Sequence, residues 1–297
     1  MMYKACKEGR KDIIDLMILD GYTNFDKGLE GACLGGHRDI INNLINNFSC
    51  DYDYGIRGAS EGGHMDIVEW MIELGSNNFH WGLCGACFGG HVEIVNFMIK
   101  KCKDDDFYQG YLNACQGGHL EIIKMLLSIE THDYNWGLRY ACIGGNMEVI
   151  KYLISLGATN YNLGLNGACK GGHLKIIKMM MDLGANNYNE GLEGACEGGH
   201  NEVIKMMLDL GATNIDNGLY YASNNGHTEV VKMLIELGAD DCDDIVLSNL
   251  EIRILYMRLK GSLVFLHINT KHPEYHLLNF YNNKIPDIDR LINKYLF

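Results

Sequence analysis

Apolar and polar residues follow two nested periods along this chain. The short period is helical. From Glu202 to Leu210, apolar side chains fall at Val203, Ile204, Met206, Met207, Leu208 and Leu210, with polar ones at Glu202, Lys205 and Asp209. This predicts a helix with a broad apolar face and one narrow wet stripe. Gly211 follows it, and glycine accepts the positive φ that ends a helix. The preceding segment, Gly191 to Glu197, predicts a shorter helix of small residues, broken by Gly198 and Gly199. Asn or Asp stands just before each such segment (Asp26, Asp53, Asn135, Asn162, Asn189, Asp216). These residues suit an N-cap, because their side-chain oxygen accepts a bond from an orphan backbone N–H. No period-two strand pattern occurs.

The long period sets the architecture. Ala followed by Cys or Ser recurs at Ala5, Ala32, Ala59, Ala86, Ala114, Ala141, Ala168, Ala195 and Ala222. The interval is 27 residues, except for 28 between Ala86 and Ala114, where the stretch 103–106 adds one. Each unit predicts helix, tight turn, helix, short loop. A pair of helices this short cannot bury its apolar face alone, and stacking identical pairs buries it continuously. The expected fold is an all-α solenoid of helix-turn-helix repeats over residues 1–243. A degenerate helical cap is expected over 244–297, with a last repeat-like pair at 277–297. There Phe280 takes the Ala position, residues 287–292 align with 121–126, and Pro286 suits the first turn of a helix. At the other end Lys4, Lys7, Glu8, Arg10 and Lys11 suit the polar outer face a solenoid terminus needs.

The segment ACEGGHNEVIKMMLDLGA, Ala195 to Ala212, resembles the ankyrin repeat: small residues, a turn ending in Gly-His, an amphipathic helix, then Gly-Ala. Units at Ala32, Ala86, Ala168 and Ala222 match as closely, and the resemblance covers residues 1 to about 240. The family repeats every ~33 residues, so each unit is about six short. The shortfall lies where ankyrins build a β-hairpin finger, and Gly-Leu replaces the Thr-Pro-Leu-His start. The resemblance therefore implies ankyrin-like helix pairs with fingers reduced or absent. Short, Asn- and Ile-rich units of this kind also resemble the ankyrin proteins of giant amoeba-infecting DNA viruses.

Composition narrows the function. With 25 Lys and Arg against 38 Asp and Glu, the formal net charge is -13, a poor match to nucleic-acid phosphates. Such a chain attracts basic partners instead. No apolar run is long enough to span a membrane and the start has no signal-peptide core, so a monomer in a reducing intracellular space, the cytoplasm, is expected.

The recurring Cys-x3-His spacing (Cys33 and His37, Cys87 and His91, Cys115 and His119, Cys169 and His173, Cys196 and His200) invites a metal reading. Structural zinc needs four converging ligands, whereas each unit offers two, separated by a helix-ending Gly-Gly. Packing of Cys in a small-residue slot, with His bonding backbone, explains them more simply; Ser60 and Ser223 take the same slot. Disulfides meet a similar objection of distance. Cys84 and Cys87 form a lone Cys-x-x-Cys without a thioredoxin-like context. The Gly-Gly pairs lack the strand and the Lys-Ser/Thr of a phosphate loop. No cofactor, metal or catalytic set is expected, and no enzyme.

Variable positions carry the remaining information. The residue after Ala-Cys/Ser runs Lys7, Leu34, Glu61, Phe88, Gln116, Ile143, Lys170, Glu197. The residue four earlier includes Arg57, Leu112, Arg139 and Tyr220, on the same helical face. Since unpaired charges are rarely buried, both rows are expected to be exposed. A third row, expected in the loop before Gly-Leu, includes Trp81 and Trp136. In ankyrin-like stacks first helices line the concave side, so the resemblance implies a groove for a partner protein with a basic or apolar surface. Unselected surface variation is the competing explanation; the apolar cluster at Trp81, Phe88, Leu112, Trp136 and Ile143 favours binding. A second reading is an adaptor, because residues 285–296 faintly resemble an F-box-like tail that recruits ubiquitin-ligase machinery.

Overall fold

The computed structural model describes residues 1–102 and 107–239. The expected cap over 244–297 and its F-box-like tail lie outside the described residues. Those residues form eighteen helices and no strand. They fall into two units, Met1–Thr213 and Asn214–Phe297.

Unit 1 holds eight helix pairs. The first four are α1 (Met2–Lys7) with α2 (Lys11–Leu19), α3 (Phe25–Gly35) with α4 (Arg38–Asn47), α5 (Tyr52–Gly62) with α6 (Met65–Glu73), and α7 (Phe79–Gly89) with α8 (Val92–Lys101). The next four are α9 (Tyr108–Gly117) with α10 (Leu120–Ile129), α11 (Tyr134–Gly144) with α12 (Met147–Ser155), α13 (Tyr161–Gly171) with α14 (Leu174–Asp182), and α15 (Tyr188–Gly198) with α16 (Asn201–Asp209). Unit 2 contains a ninth pair of the same design, α17 (Ile215–Asn224) and α18 (Thr228–Glu236).

Second helices α4 to α16 each bury a narrow triplet rather than the whole apolar face: Ile176, Ile177 and Met180 in α14; Val203, Ile204 and Met207 in α16. At about 1.5–3 kcal/mol per buried aliphatic side chain, each triplet supplies a large share of a repeat's stability. Gly211, at φ 100, ends α16, and the N–H of Ala212 bonds back to the Met207 carbonyl at 2.9 Å. In the repeats whose triplet ends in Met, that side chain packs against the Gly of Gly-Leu. A Cβ at Gly55, Gly164 or Gly191 would lie 2.5–2.6 Å from the sulfur of Met71, Met180 or Met207 in the same repeat.

First helices of neighbouring repeats touch backbone to backbone. A Cβ at Gly31, Gly58, Gly85, Gly167 or Gly194 would meet a carbonyl oxygen of the preceding first helix at 2.1–2.4 Å. Second helices of neighbouring repeats stand farther apart. A close-spaced layer backed by a wider-spaced one curves toward the close one, so the first helices of unit 1 line its concave side. Repeat 5 breaks the pattern: Asn113 and Tyr140 occupy the position held by these glycines, and α9 stands farther from α7 and α11 than other first helices do from their neighbours. The core adjusts there too. Tyr111 is fully buried where most repeats have Leu, stacked on His132 with ring centroids 4.8 Å apart.

The helix starts differ from the expectation. First helices begin about three residues earlier, and their N-caps are Asn24, Asp51, Asn78, Asp133, Asn160 and Asn187. The Asn and Asp expected as caps lie inside the first turn and tie successive repeats together. Asn135 Oδ1 accepts from the N–H groups of Thr159 and Asn160 at 2.9 and 2.8 Å; Asn162 does the same for Asn186 and Asn187. Asp53 takes the Ser76 hydroxyl at 2.7 Å. Short acceptor side chains two residues apart can serve either role, and the next repeat's loop decides which.

The turn histidines bond backbone across repeats. His173 Nε2 lies 3.0 Å from the Ile143 carbonyl, and His37, His64, His91, His119 and His200 make the equivalent contact. Asn146 substitutes its amide, donating to Gln116 O at 2.7 Å. His173→Asn is therefore expected to keep stability within about 0.5 kcal/mol, whereas His173→Ala loses about 1 kcal/mol. Urea unfolding of the two variants followed by circular dichroism reads the difference.

Candidate functional site

The concave face is built from two pinned rows. In α3, α7, α13 and α15 the third residue (Lys27, Trp81, Leu163, Glu190) has its N–H held by the N-cap Asn three residues earlier, at 3.2–3.4 Å. This row, with Trp136 in register, thus lies in the helix rather than in the loop, as a consequence of the earlier helix start. The residue after Ala-Cys/Ser has its carbonyl held by the next repeat's turn His, as at Lys7, Leu34, Glu61, Phe88, Ile143 and Lys170. The second row and these four members of the first therefore project from fixed backbone.

The expected exposure holds for these rows in graded form. Phe88 and Trp136 are 39% and 40% exposed and Lys7 is exposed, while Leu34, Glu61, Trp81, Gln116, Ile143, Lys170 and Glu197 are half-buried. The row four residues earlier departs from it. Leu112 is 4% exposed and is a core residue, and Glu30, at 4%, Cys84 and Asn166 are buried as well. This row faces the neighbouring first helix, which supplies partners for its polar members. Glu30 takes Lys27 Nζ at 2.7 Å and Arg57 Nη1 at 3.3 Å. Arg139 donates from Nε to Asn166 Oδ1 at 2.8 Å, lies 5.5 Å over the Trp136 ring and sits 3.9 Å from Glu197, which also takes Lys170 at 2.5 Å. Arg57 remains half-exposed. Tyr220 belongs to unit 2, 44% exposed and edge-on to Tyr221.

Aromatic and cationic groups cluster on both sides of repeat 5. On one side the Trp81 ring meets Tyr54 edge-on with centroids 5.3 Å apart, and Lys27 Nζ lies 5.0 Å over Tyr54. On the other, Arg139 lies over Trp136 and 5.8 Å over Tyr140. Tyr54 stands in the same row as Trp81 and Trp136; sequence reasoning missed Tyr140, and its place at a position that is Gly in five other units was the available signal. Burial lifts the Glu61 carboxyl above its usual range, with nearby Arg57 opposing and Glu30 adding to the rise.

Among the described residues no three His, Cys, Asp or Glu side chains converge to hold a metal ion. The Cys row lies in the core, and its thiols are pushed up by burial, to about 12 for Cys6, Cys115, Cys169 and Cys196. The thiolate is the nucleophile, so these cysteines are expected to be inert to an aromatic disulfide reagent at pH 8 in the native protein and to react on unfolding in urea. Among the described residues no helix is long and apolar enough to cross a membrane.

With the repeat geometry established, the comparisons give it a family. The family model for ankyrin repeats (3 copies) matches residues 111–191 and 165–244. Residues 111–244 are ankyrin repeats. Within that span, residues 111–239 share the all-α, helix-pair architecture of the other described residues. Among solved structures, the human ASB11 ankyrin repeat domain matches with 20% identity over 63% of this chain and 99% of that one, at a TM-score of 0.36. None of the curated proteins compared matches the sequence. Ankyrin repeats are protein-interaction modules, so the chain carries a protein-binding scaffold.

Proposed function

We propose that unit 1 binds a partner protein through its concave groove, without catalysis, and that Phe88 and Trp136 are the contact anchors. One observation carries this reading. The two side chains are exposed and apolar at positions where other repeats place Lys7, Lys170, Lys27 or Glu190, so the stack does not need them there. Exposed aromatics on rigid backbone are the residue type that dominates binding hot spots. Trp81 and Ile143, half-buried, stand in the same two rows. The short-repeat style supports a viral protein acting in a host cytoplasm as a monomer, with nucleic acid and membrane outside its range of partners.

The test is affinity capture with quantitative mass spectrometry, comparing the full chain with a Phe88→Glu/Trp136→Lys variant and with a chain lacking residues 277–297. A partner lost from the first variant alone supports the groove. Loss of a ubiquitin-ligase subunit from the tail deletion alone supports the F-box-like adaptor instead.

A further inference from the structure

We infer that unit 1 carries a second docking surface, the edge of repeats 5 to 8 at which the second helices end, and that this edge takes a basic amphipathic helix of a partner protein. The inference is independent of the groove reading above.

An aliphatic ladder runs along that edge. Ile129, Leu156, Leu183 and Leu210 hold one repeat position in four consecutive repeats, and all four are exposed, by 36–49%. Repeats 1, 2 and 4 place Asp20, Asn47 and Lys101 there, so the stack does not require hydrocarbon at this position. Nor does the helix stop. It uses the glycine after each leucine, and the N–H groups of Ala158, Ala185 and Ala212 bond back to the carbonyls of Leu153, Met180 and Met207. Those alanines are buried, while the leucines beside them stay in solvent. An unbroken row of exposed aliphatic side chains is the kind of patch that marks an interaction site.

The charges beside the ladder select a cationic partner. A helix C-terminus carries partial negative charge and favours Lys or Arg in its last turn. None of α10, α12, α14 and α16 has a basic residue there. Exposed acids stand there instead: Glu130 is the C-cap of α10, and Asp182 and Asp209 are the last residues of α14 and α16. Lys178 and Lys205 lie one turn earlier, and neither forms an ion pair with these acids. The positive helix ends at the same edge are covered. First helices α11, α13 and α15 begin there, and side-chain oxygens of Asp133, Asn160 and Asn187 accept from N–H groups of their first turns. The negative ends are left open, and Lys or Arg flanking an apolar seam complements them.

Hydrogen bonding selects a helix over an extended chain. The carbonyls of an extended segment need donors, and the loop N–H groups at this edge are already used. Those of Gly157, Ala158, Gly184, Ala185, Gly211 and Ala212 bond back to the helix before them. Those of Thr159 and Asn160 go to Asn135, those of Asn186 and Asn187 to Asn162, and that of Thr213 to Asn189. A helix arrives with its main-chain bonds made and needs only apolar contact and charge. The spacing agrees. Packed helices lie about 10 Å apart and a helix rises 1.5 Å per residue, so successive rungs match side chains about seven residues apart.

Three fluorescein-labelled peptides of four heptads each, titrated with the purified full chain by fluorescence anisotropy, test this. One carries a leucine seam flanked by lysine, one the same seam flanked by glutamate, and one the composition of the first with its seam scrambled. The lysine-flanked seam is expected to bind about tenfold or more tightly than either of the others. Leu156→Asn/Leu183→Asn/Leu210→Asn, for which Asn47 is the precedent at that position, is expected to weaken it by about tenfold or more. Asp182→Ser/Asp209→Ser, for which Ser128 and Ser155 are precedents, is expected to weaken it severalfold and keeps the test open if the triple variant melts early. Phe88→Glu/Trp136→Lys is expected to leave the peptide's affinity unchanged, because the groove is a different surface. The inference is overturned if the lysine-flanked peptide does not bind, or if the scrambled one binds equally well. Unchanged affinity for an edge variant that melts with the wild type overturns it too, as does loss of the peptide on the groove variant. Capture of a partner by the groove is read from Phe88→Glu/Trp136→Lys alone, so either reading can fail without the other.

Discussion

Gly58→Val destabilises unit 1 by about 3 kcal/mol, the upper end of what overpacking costs in a well-filled core. The Cβ of any residue other than glycine at this position would lie 2.1 Å from the Glu30 carbonyl oxygen. Backbone, unlike the far end of a flexible side chain, cannot step aside. α3 and α5 must separate, and the apolar layers on either side of the contact lose packing together. Asn113→Ala provides the control. It alters the same repeat position where the fold already carries a side chain, so the Asn113 bond to the Cys84 carbonyl and the one it accepts from Gln109 Nε2, both at 3.3 Å, are lost and the cost is about 1 kcal/mol. Urea denaturation of both variants compares them. Equal losses would mean that the position is costly for some reason other than close backbone approach.

Phe88→Glu/Trp136→Lys leaves stability within about 1 kcal/mol and weakens partner binding by roughly thirtyfold or more. The stability expectation follows from exposure: substitutions at surface sites cost about 0.5 kcal/mol each. Phe88 sits in a row that holds Glu61 and Glu197, and Trp136 in one that holds Lys27, so the new residues have precedents in the same fold. The main risk to that expectation is Arg139, which lies over the Trp136 ring and would face a new cation; its bond to Asn166 and its approach to Glu197 hold it in place. The binding expectation follows from truncating two aromatic anchors, each worth about 2 kcal/mol when it is a hot spot. Leu112 is the informative contrast. It shares their apolar character but is buried, so Leu112→Glu is expected to unfold the repeat rather than spare the fold. Isothermal titration against the captured partner, with thermal melts in parallel, separates lost affinity from lost fold. A double variant that melts with the wild type and binds undiminished moves the site away from Phe88 and Trp136.

Much of this molecule is legible from one strand of text. The nine-fold recurrence of Ala-Cys/Ser, the amphipathic second helices and the glycines after them specify helix pairs, because period, cap chemistry and core pattern are local properties. The core position of the Cys row and the backbone bond of the turn His follow as well, since small residues and a Gly-His turn leave few other arrangements. Three matters were settled only in three dimensions. Asn187 caps α15 while Asn189 reaches the next repeat's loop, at the N–H of Thr213, because the acceptor that closes a helix end and the one that staples repeats differ only in what comes within reach. Glycine at position 58 and asparagine at 113 look interchangeable in a repeat alignment, yet one marks backbone contact and the other a side-chain bond to the preceding first helix. The row containing Glu30, Leu112 and Asn166 looked exposed because it mixes charge with hydrocarbon, but these three members are buried. A neighbour about one repeat away in sequence supplies Arg57 to Glu30 and Arg139 to Asn166. Burial of a polar side chain is set by whether partners from elsewhere in the chain can meet it, and that is a property of the stack rather than of the segment.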